Sequence, residues 1–353
     1  MALTLSSLEA LDTLPFDTVI DARSPAEYAE DHLPGAINLP VLSNEERARV
    51  GTIYTQESPF RARRVGGALV ARNVAAHIEA ALADKPKTWR PLVYCWRGGQ
   101  RSGAFSLILR QVGWAAETIE GGWRAYRRLV QHALYQAPWP APVVLLDGNT
   151  GTAKTDMLAL LAARGVQVLD LEGLANHRGS LFGAMAGGQP AQKGFESALA
   201  HARARLDPAR PVVIEAESSK IGQLLLPPGL WQAMALAPRI VLSAPLGARA
   251  AYLARRYRDV TEDPARLQAT ITALAALHAS DTIARWQRLA AEGAYEALAE
   301  SLMALHYDPA YARQRARVGA GARHDLPLPA LDAATLGAGA DAIVASLEAL
   351  SAG

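Results

Sequence analysis

An apolar run, Val143-Val144-Leu145-Leu146-Asp147, leads directly into Gly148-Asn149-Thr150-Gly151-Thr152-Ala153-Lys154-Thr155 and then into a helical stretch, Asp156 to Arg164, that stops at Gly165. A buried strand, a glycine-bearing turn and a helix in immediate succession demand an α/β unit. Such a turn directs backbone N–H groups at phosphate oxygens, with Lys154 reaching the terminal phosphate and Thr155 offering its hydroxyl to a Mg²⁺ ion. Ala153 stands where glycine is usual before the lysine. Its methyl group narrows the loop unless that residue is already helical. An ordinary strand-to-helix turn is the alternative, but that turn does not require Lys154-Thr155 in this register.

Cys95, the one cysteine in 353 residues, supplies a second constraint. It follows the apolar run Pro91 to Tyr94 and opens Trp96-Arg97-Gly98-Gly99-Gln100-Arg101-Ser102, ahead of a helix-like Gly103 to Gln111. The thiol therefore lies at a strand tip, at the mouth of a glycine-rich turn, beside a helix N-terminus, with two arginines close behind. Each feature favours the thiolate over the thiol. Gly98 and Gly99 let the backbone curl so that the loop's N–H groups converge on an anion. A lone cysteine is usually a small buried hydrophobe, yet Arg97, Gly98, Gly99 and Arg101 make poor core neighbours.

Having one cysteine excludes an intramolecular disulfide, a cysteine-based zinc site and a resolving thiol in the same chain. A reactive thiolate without disulfides fits a reducing cytoplasm. No run of about 18 uncharged apolar residues occurs, and Met1 to Leu14 has no basic segment followed by an apolar core. Neither a membrane span nor a secretory signal is expected. The net charge of +2 selects no partner. Only five of the 36 basic residues are lysine. Arginine suits phosphate recognition through its planar fork, but codon bias in a GC-rich genome produces the same excess. Composition alone does not establish RNA binding.

Three prolines in Gln136-Ala137-Pro138-Trp139-Pro140-Ala141-Pro142 make a stiff connector. The expected division is a domain over 1–135, a linker over 136–142 and a second domain over 143–353. Before the linker, short strands (Thr18 to Asp21, Leu92 to Tyr94, Glu117 to Ile119) alternate with helical segments (Pro25 to Asp31, Gly67 to Ala83, Ser102 to Val112, Gly121 to Ala133), which predicts an α/β domain with a parallel sheet. The polar, arginine-bearing stretch Ser43 to Gly66 reads as an insertion. After the linker, strands at Val143 to Asp147, Gln167 to Asp170, Pro211 to Glu215 and Arg239 to Leu242 give a second α/β unit. The alanine- and leucine-rich Asp263 to Leu305 predicts a helical subdomain, and Asp332 to Gly353 a final helix.

Asp21-Ala22-Arg23-Ser24-Pro25-Ala26-Glu27-Tyr28, His32-Leu33-Pro34-Gly35-Ala36-Ile37-Asn38-Leu39-Pro40 and the Cys95 loop, in that order, resemble the signatures of rhodanese-type sulfurtransferases. In that family the loop cysteine carries a persulfide. With a P-loop domain following, the chain as a whole resembles the tRNA 2-selenouridine synthase family. The likeness continues at Asn44 to Tyr54, at Asp170-Leu171-Glu172-Gly173-Leu174-Ala175-Asn176-His177-Arg178-Gly179-Ser180-Leu181-Phe182-Gly183, and at Tyr307-Asp308-Pro309-Ala310-Tyr311. It departs at Ala153, and at Glu215-Ala216-Glu217-Ser218-Ser219, which lacks the second acidic residue and terminal arginine of the family's strand end.

The resemblance implies a transferase with geranyltransferase and selenotransferase activities, acting on 2-thiouridine at the wobble position of certain tRNAs. Geranyl diphosphate alkylates the sulfur and releases diphosphate; selenophosphate then supplies selenium, which displaces the geranylated sulfur. On this view the phosphate loop holds diphosphate and need not hydrolyse ATP. No tightly bound cofactor is expected; Mg²⁺ at Thr155 accompanies the diphosphate. The partners are tRNA through its anticodon region, the two small substrates and an enzyme that supplies selenophosphate. Cys95 would handle a soft chalcogen anion, and Arg97 and Arg101 would hold selenophosphate by charge-assisted hydrogen bonds. Whether Cys95 carries selenium covalently stays open.

Glu215 or Glu217 would meet the metal through water, or cap a strand. His177 and Arg178 are candidates for the phosphate-loop site, although His177 alone reads equally as a structural histidine. Candidate RNA-backbone contacts are Arg61, Arg63 and Arg64, and Arg249, Arg255, Arg256 and Arg258 beside Tyr252 and Tyr257, where interleaved arginines and aromatics suit phosphate contact with base stacking. A solvated helix face is the alternative for any one of them. The geranyl chain needs an apolar groove, which the alanine/leucine helices would offer through residues the pattern does not single out. Three rival readings stay open: a sulfurtransferase with a regulatory P-loop domain, a P-loop NTPase or kinase with a rhodanese-like binding module, and a non-catalytic RNA-binding protein.

Overall fold

The computed structural model describes residues 2–317 and 322–351. They form two compact units. One runs to Pro138 and includes Pro190–Arg205; the other comprises Trp139–Gln189 and Leu206 onward.

The first unit is built on β1 (Ala2–Leu3), β2 (Thr18–Asp21), β3 (Ile37–Asn38), β4 (Pro91–Tyr94) and β5 (Glu117–Ile119), all parallel in the order β1-β5-β4-β2-β3. Every residue of the central β4 is buried, as an apolar run in a parallel sheet requires. Helices α1 (Pro25–Glu30), α2 (Asn44–Gln56), α3 (Pro59–Glu79), α4 (Gln100–Val112) and α5 (Gly122–Tyr135) connect the strands. The core joins Ile20 and Val93 to Phe105 and Leu109 of α4 and Leu69, Val70 and Val74 of α3.

The signature residues Asp21 and Arg23 are fully buried beneath the Cys95 loop. Arg23 pairs with Asp21 at 2.6 Å, Tyr94 donates its hydroxyl to Asp21 at 2.8 Å, and the Arg23 guanidinium lies 5.6 Å and 5.1 Å from the Tyr94 and Trp123 rings. A buried ion pair holds only when its remaining polar atoms are satisfied. This one is a strut for β2 and β4.

Two segments depart from the expected layout. Ser43 to Gly66 is no loose insertion: it forms α2 and part of α3, a helical hairpin. Ser43 and Ser58 accept from the N–H groups of Glu46 and Arg61, and Pro59 takes the first helical position. Such capping starts α3 eight residues before the Gly67 start predicted from apolar spacing. The second departure is the helix Gln192–Ala204, which sequence order assigned to the second domain. It belongs to the first unit. Phe195 and Leu199 are buried there, Glu196 pairs with Arg127, Lys193 with Glu30 at 2.6 Å, and Arg205 with Asp12 at 2.7 Å. Those partners lie far upstream, so linear order hides them.

The second unit has β6 (Val143–Gly148), β7 (Gln167–Leu169), β8 (Val212–Glu215), a short hairpin of β9 (Lys220–Ile221) and β10 (Leu224–Leu225), β11 (Arg239–Ser243) and β12 (Arg323–Pro327). Its main sheet is parallel in the order β12-β11-β6-β8-β7. The polar edge strand β12 carries no apolar alternation, so the sequence pattern does not announce it. Helix α6 (Lys154–Ala163) packs Met157, Leu158 and Leu161 against Leu336, Ala340, Ile343 and Leu347 of the terminal helix Ala333–Ser351. The helical subdomain begins at Leu246, earlier than Asp263, and closes around Trp286, Ile271, Leu298 and Leu302. Among the described residues no helix is long and apolar enough to cross a membrane.

Candidate functional site

At the carboxyl ends of the strands, where ligand sites of parallel α/β sheets lie, each unit places one glycine-bearing strand-to-helix loop, after β4 and after β6. In the first unit Cys95 follows β4 and is 3% exposed. Ser102, in the first turn of α4, donates its hydroxyl to the Cys95 sulfur at 3.2 Å. Burial pushes the thiol pKa up; the Ser102 hydroxyl, the Ser102 N–H, the Arg101 charge and the Arg97 N–H outweigh it and hold the thiol below its usual range. Gly98 has φ of +65° and packs edge-on to the β5 backbone, where a Cβ would collide with the Ile119 carbonyl. Gly122, at +57°, leaves no room for a Cβ beside the Cys95 carbonyl. The Trp123 N–H donates to that carbonyl at 2.8 Å, and Trp96 stacks on Trp123 at 4.6 Å.

Arg101 is tied by two hydrogen bonds, at 2.7 Å and 3.3 Å, to Glu27 of α1. Glu27 lies within the signature but carries no sequence mark of a site residue; the fold uses it to orient the cation beside the sulfur. Its own pKa is lowered: burial raises it, but Arg101 and Ser24 prevail. The thiol opens onto a cavity of about 1150 Å³, lined by the loop (Trp96, Arg97, Gly99, Gln100) and by Arg47, Tyr54 and Arg63 of the helical hairpin. Arg63 therefore faces this cavity. Arg61 and Arg64 are exposed, and Arg61 pairs with Glu57 one turn away.

In the second unit the phosphate loop runs from Gly148 to Thr155 and leaves β6 between β8 and β11. Gly151, at φ +83°, meets Leu253 and the Arg249 carbonyl so closely that a Cβ would touch both near 3.1 Å. Ala153 is not helical: it is left-handed, at φ 59°, the conformation that glycine adopts without strain. The Lys154 ammonium donates to the Gly148 carbonyl at 3.0 Å and sits 5.8 Å from the Tyr311 ring. Burial lowers its pKa, but Tyr311, Glu215, Glu217 and Glu172 raise it further, so it stays charged. Asp147, at the end of β6, pairs with Arg315 at 2.9 Å and Arg239 at 3.3 Å; Arg315 also donates to Asn149 at 2.8 Å and steadies the loop.

Glu172, Glu215 and Glu217 place one carboxylate oxygen each within 4.8 Å of one another. Thr155 donates to Glu215 at 2.9 Å and contacts Glu172 at 3.4 Å. Burial and mutual repulsion push Glu172 and Glu215 up to about 8 and Glu217 to about 7. The second oxygen of Glu215 is buried and has no hydrogen-bond partner among the described residues. Oxygen-only ligands around a threonine hydroxyl suit a hard divalent cation. Sequence reasoning missed Glu172 as a site residue, although it lies inside the family-like block Asp170 to Gly183. Gly179 of the same block, at φ +64°, has room only for hydrogen beside the carboxylates of Glu172 and Glu217.

A cavity of about 180 Å³ over the loop is lined by Lys154, Thr155, Glu172, Arg178, Arg256 and Tyr311, among others. Arg178 pairs with Asp259 at 3.0 Å and lies 4.8 Å over the Tyr257 ring, while its Nη1 is buried without a hydrogen-bond partner among the described residues. His177 acts within its own turn instead. Its Nδ1 accepts from the Gly179 N–H at 3.1 Å, and burial lowers its pKa. The neutral ring shapes the turn that delivers Arg178. Arg249 is the clearest correction among the expected RNA contacts. It is 6% exposed, holds Asp308 at 2.7 Å and 3.0 Å, and donates to the Thr150 carbonyl at 3.1 Å. It braces the phosphate loop and is not available to a nucleic acid. Arg255 and Arg256 are exposed, and so is Arg258.

Known proteins match both units. The family model for the tRNA 2-selenouridine synthase AAA domain matches residues 141–281, and that for the rhodanese-like domain matches residues 5–129. Proteins named tRNA 2-selenouridine synthase are similar along much of the chain. The one from Hahella chejuensis is 38% identical over 68% of this chain and 63% of its own length. The one from Aeromonas salmonicida is 36% identical over 82% and 77%, and the one from Bordetella bronchiseptica 35% identical over 84% and 88%. With both anion loops and both family models in place, this chain belongs to the tRNA 2-selenouridine synthase family.

Proposed function

We propose that this protein converts 2-thiouridine to 2-selenouridine at the wobble position of tRNA, through an S-geranylated intermediate, using geranyl diphosphate and selenophosphate. The observation that carries the reading is the second-unit cavity, lined by Gly151 to Thr155 of the loop, by Lys154 and Arg178 and by Glu172, whose carboxylate lies within 4.8 Å of those of Glu215 and Glu217. That array suits a metal-bound diphosphate, with no need for a nucleophile of its own.

Mg²⁺ held by Glu172, Glu215 and Glu217 with Thr155 would neutralise charge on the leaving diphosphate. Lys154 and Arg178 hold the same group by charge-assisted hydrogen bonds. The thiocarbonyl sulfur attacks C1 of the geranyl group, the C–O bond breaks, and diphosphate stays in the loop. In the first unit, the lowered thiol pKa raises the thiolate fraction of Cys95 beside Arg97 and Arg101, which fits selenophosphate. The selenium of selenophosphate then adds at C2 of the geranylated base, the C2–S bond breaks with loss of geranylthiol, and water cleaves the Se–P bond to release phosphate. RNA reaches the sites through exposed arginines: Arg255, Arg256 and Arg258 in one unit, and Arg61, Arg63 and Arg64 in the other.

The test is Cys95→Ser and Lys154→Ala, each assayed for geranylation and for selenium incorporation into 2-thiouridine tRNA. Loss of selenation alone is expected from Cys95→Ser, and loss of geranylation and therefore of selenation from Lys154→Ala. Full geranylation by the Lys154 variant would overturn the role given to the phosphate loop. Sulfur transfer from thiosulfate that needs Cys95 but neither Lys154 nor tRNA would favour the sulfurtransferase reading.

A further inference from the structure

A second, apolar cavity adjoins the phosphate-loop cavity in the same unit. Thr150, Ser180, Leu253 and Tyr257 line both. Beyond them it runs among Phe182, Leu298, Ala299, Leu302 and Met303, and no charged side chain is among its described lining residues. The helical subdomain therefore does not close fully over its own core: it leaves an apolar recess, and that recess begins at the anion site.

Resting on the function proposed above, we infer that this recess holds the hydrocarbon chain of the allylic diphosphate and that its lining sets chain length. The junction is suited to a molecule that is charged at one end only. Arg178, which lines the phosphate-loop cavity, lies 4.8 Å over the Tyr257 ring, and Ser180 lies 3.4 Å from the Tyr257 hydroxyl. Past this pair the lining is mostly aliphatic carbon and aromatic ring, with Thr261, Tyr295 and Tyr307 the residues that carry a hydroxyl. A nucleoside would leave its ribose and base polar groups poorly matched there, at a cost an alkyl chain does not incur. The recess measures about 80 Å³, space for roughly six water-sized groups. A short hydrocarbon segment enters a recess of this size, so the assignment expects a ten-carbon chain to be preferred over a fifteen-carbon one.

The experiment uses the full chain and 2-thiouridine tRNA with dimethylallyl, geranyl and farnesyl diphosphates. Ala299→Phe fills the recess and is expected to lower the geranyl-to-dimethylallyl ratio of kcat/KM at least tenfold. Leu302→Ala enlarges it and is expected to raise the farnesyl-to-geranyl ratio at least tenfold. Independently of any variant, a non-reactive geranyl thiolodiphosphate is expected to slow amide exchange at 295–303 in the wild type more than inorganic diphosphate does; this measurement decides the matter if a variant misfolds. Wild-type geranyl transfer with both ratios within twofold of wild type, or with no added protection, overturns the recess assignment and leaves the proposed function standing. Absence of wild-type transfer from all three diphosphates overturns the proposed function, and this assignment with it.

Discussion

The Ser102 hydroxyl points at the Cys95 sulfur from 3.2 Å, one turn into the helix that follows the thiol loop. It is the largest of the contributions that bring the thiol down against burial. Ser102→Ala is expected to shift the pH profile of Cys95 alkylation upward. At pH 7 the alkylation rate should fall about 3- to 10-fold, the worth of one hydrogen bond of ordinary net strength, about 1 kcal/mol. An unchanged profile would assign the thiolate to the backbone N–H groups and Arg101 alone.

Thr155 and the three glutamates bear on the metal. Burial and mutual repulsion push two of these carboxyls up to about 8 and one to about 7, so a cation entering at neutral pH displaces protons. Mg²⁺ at millimolar concentration is expected to raise Tm at pH 8 and to release protons, seen as heats that vary with the ionisation enthalpy of the buffer. Glu215→Gln should abolish both effects and EDTA should reverse the first. A wild-type Tm indifferent to Mg²⁺ would remove the cation from this site.

His177 gives a pH dependence of opposite origin. Its folded pKa lies below the ordinary histidine value because burial disfavours the imidazolium. Its contribution to stability is therefore complete above about pH 6.5 and is lost as pH falls through the depressed folded value. Protonating Nδ1 also removes the acceptor of the Gly179 N–H. Exchange of that amide, corrected for its intrinsic pH dependence, should accelerate between about pH 7 and pH 5, and His177→Gln should flatten the change.

Ala153 carries a methyl group in a left-handed conformation. That costs roughly 1–2 kcal/mol, of which the greater flexibility of unfolded glycine offsets about 0.5–1 kcal/mol. Ala153→Gly is expected to stabilise the protein by about 0.5–1 kcal/mol by denaturant unfolding, with diphosphate binding retained.

Arg249 and Arg258 should behave as opposites. Removing Arg249 leaves Asp308 and the Thr150 carbonyl without their donor, so Arg249→Ala should destabilise by about 3–5 kcal/mol. Arg258→Ala should leave Tm unchanged and reduce the slope of log affinity for tRNA against log salt by about one. Equal salt slopes for wild type and Arg258→Ala would place the RNA elsewhere.

Both strand-to-helix loops were legible in the sequence because each is made by consecutive residues: an apolar strand, a turn with a left-handed glycine (Gly98 in one, Gly151 in the other), and a helix start. The chain's own short-range sterics determine Cys95-Trp96-Arg97-Gly98-Gly99 and Gly148 to Thr155, and the apolar periods determine two parallel α/β units. What surrounds those loops was decided by tertiary structure. Glu172 joins Glu215 and Glu217 only because β7 and β8 are neighbours in the sheet. Arg249 is a brace because the helix it sits on is laid against Gly151, a fact its sequence surroundings of arginine and tyrosine do not encode. The helix Gln192–Ala204 joins the first unit through partners as distant as Asp12 and Arg127. Local pattern sets which atoms a segment can present, and the packing of segments remote along the chain sets what those atoms meet.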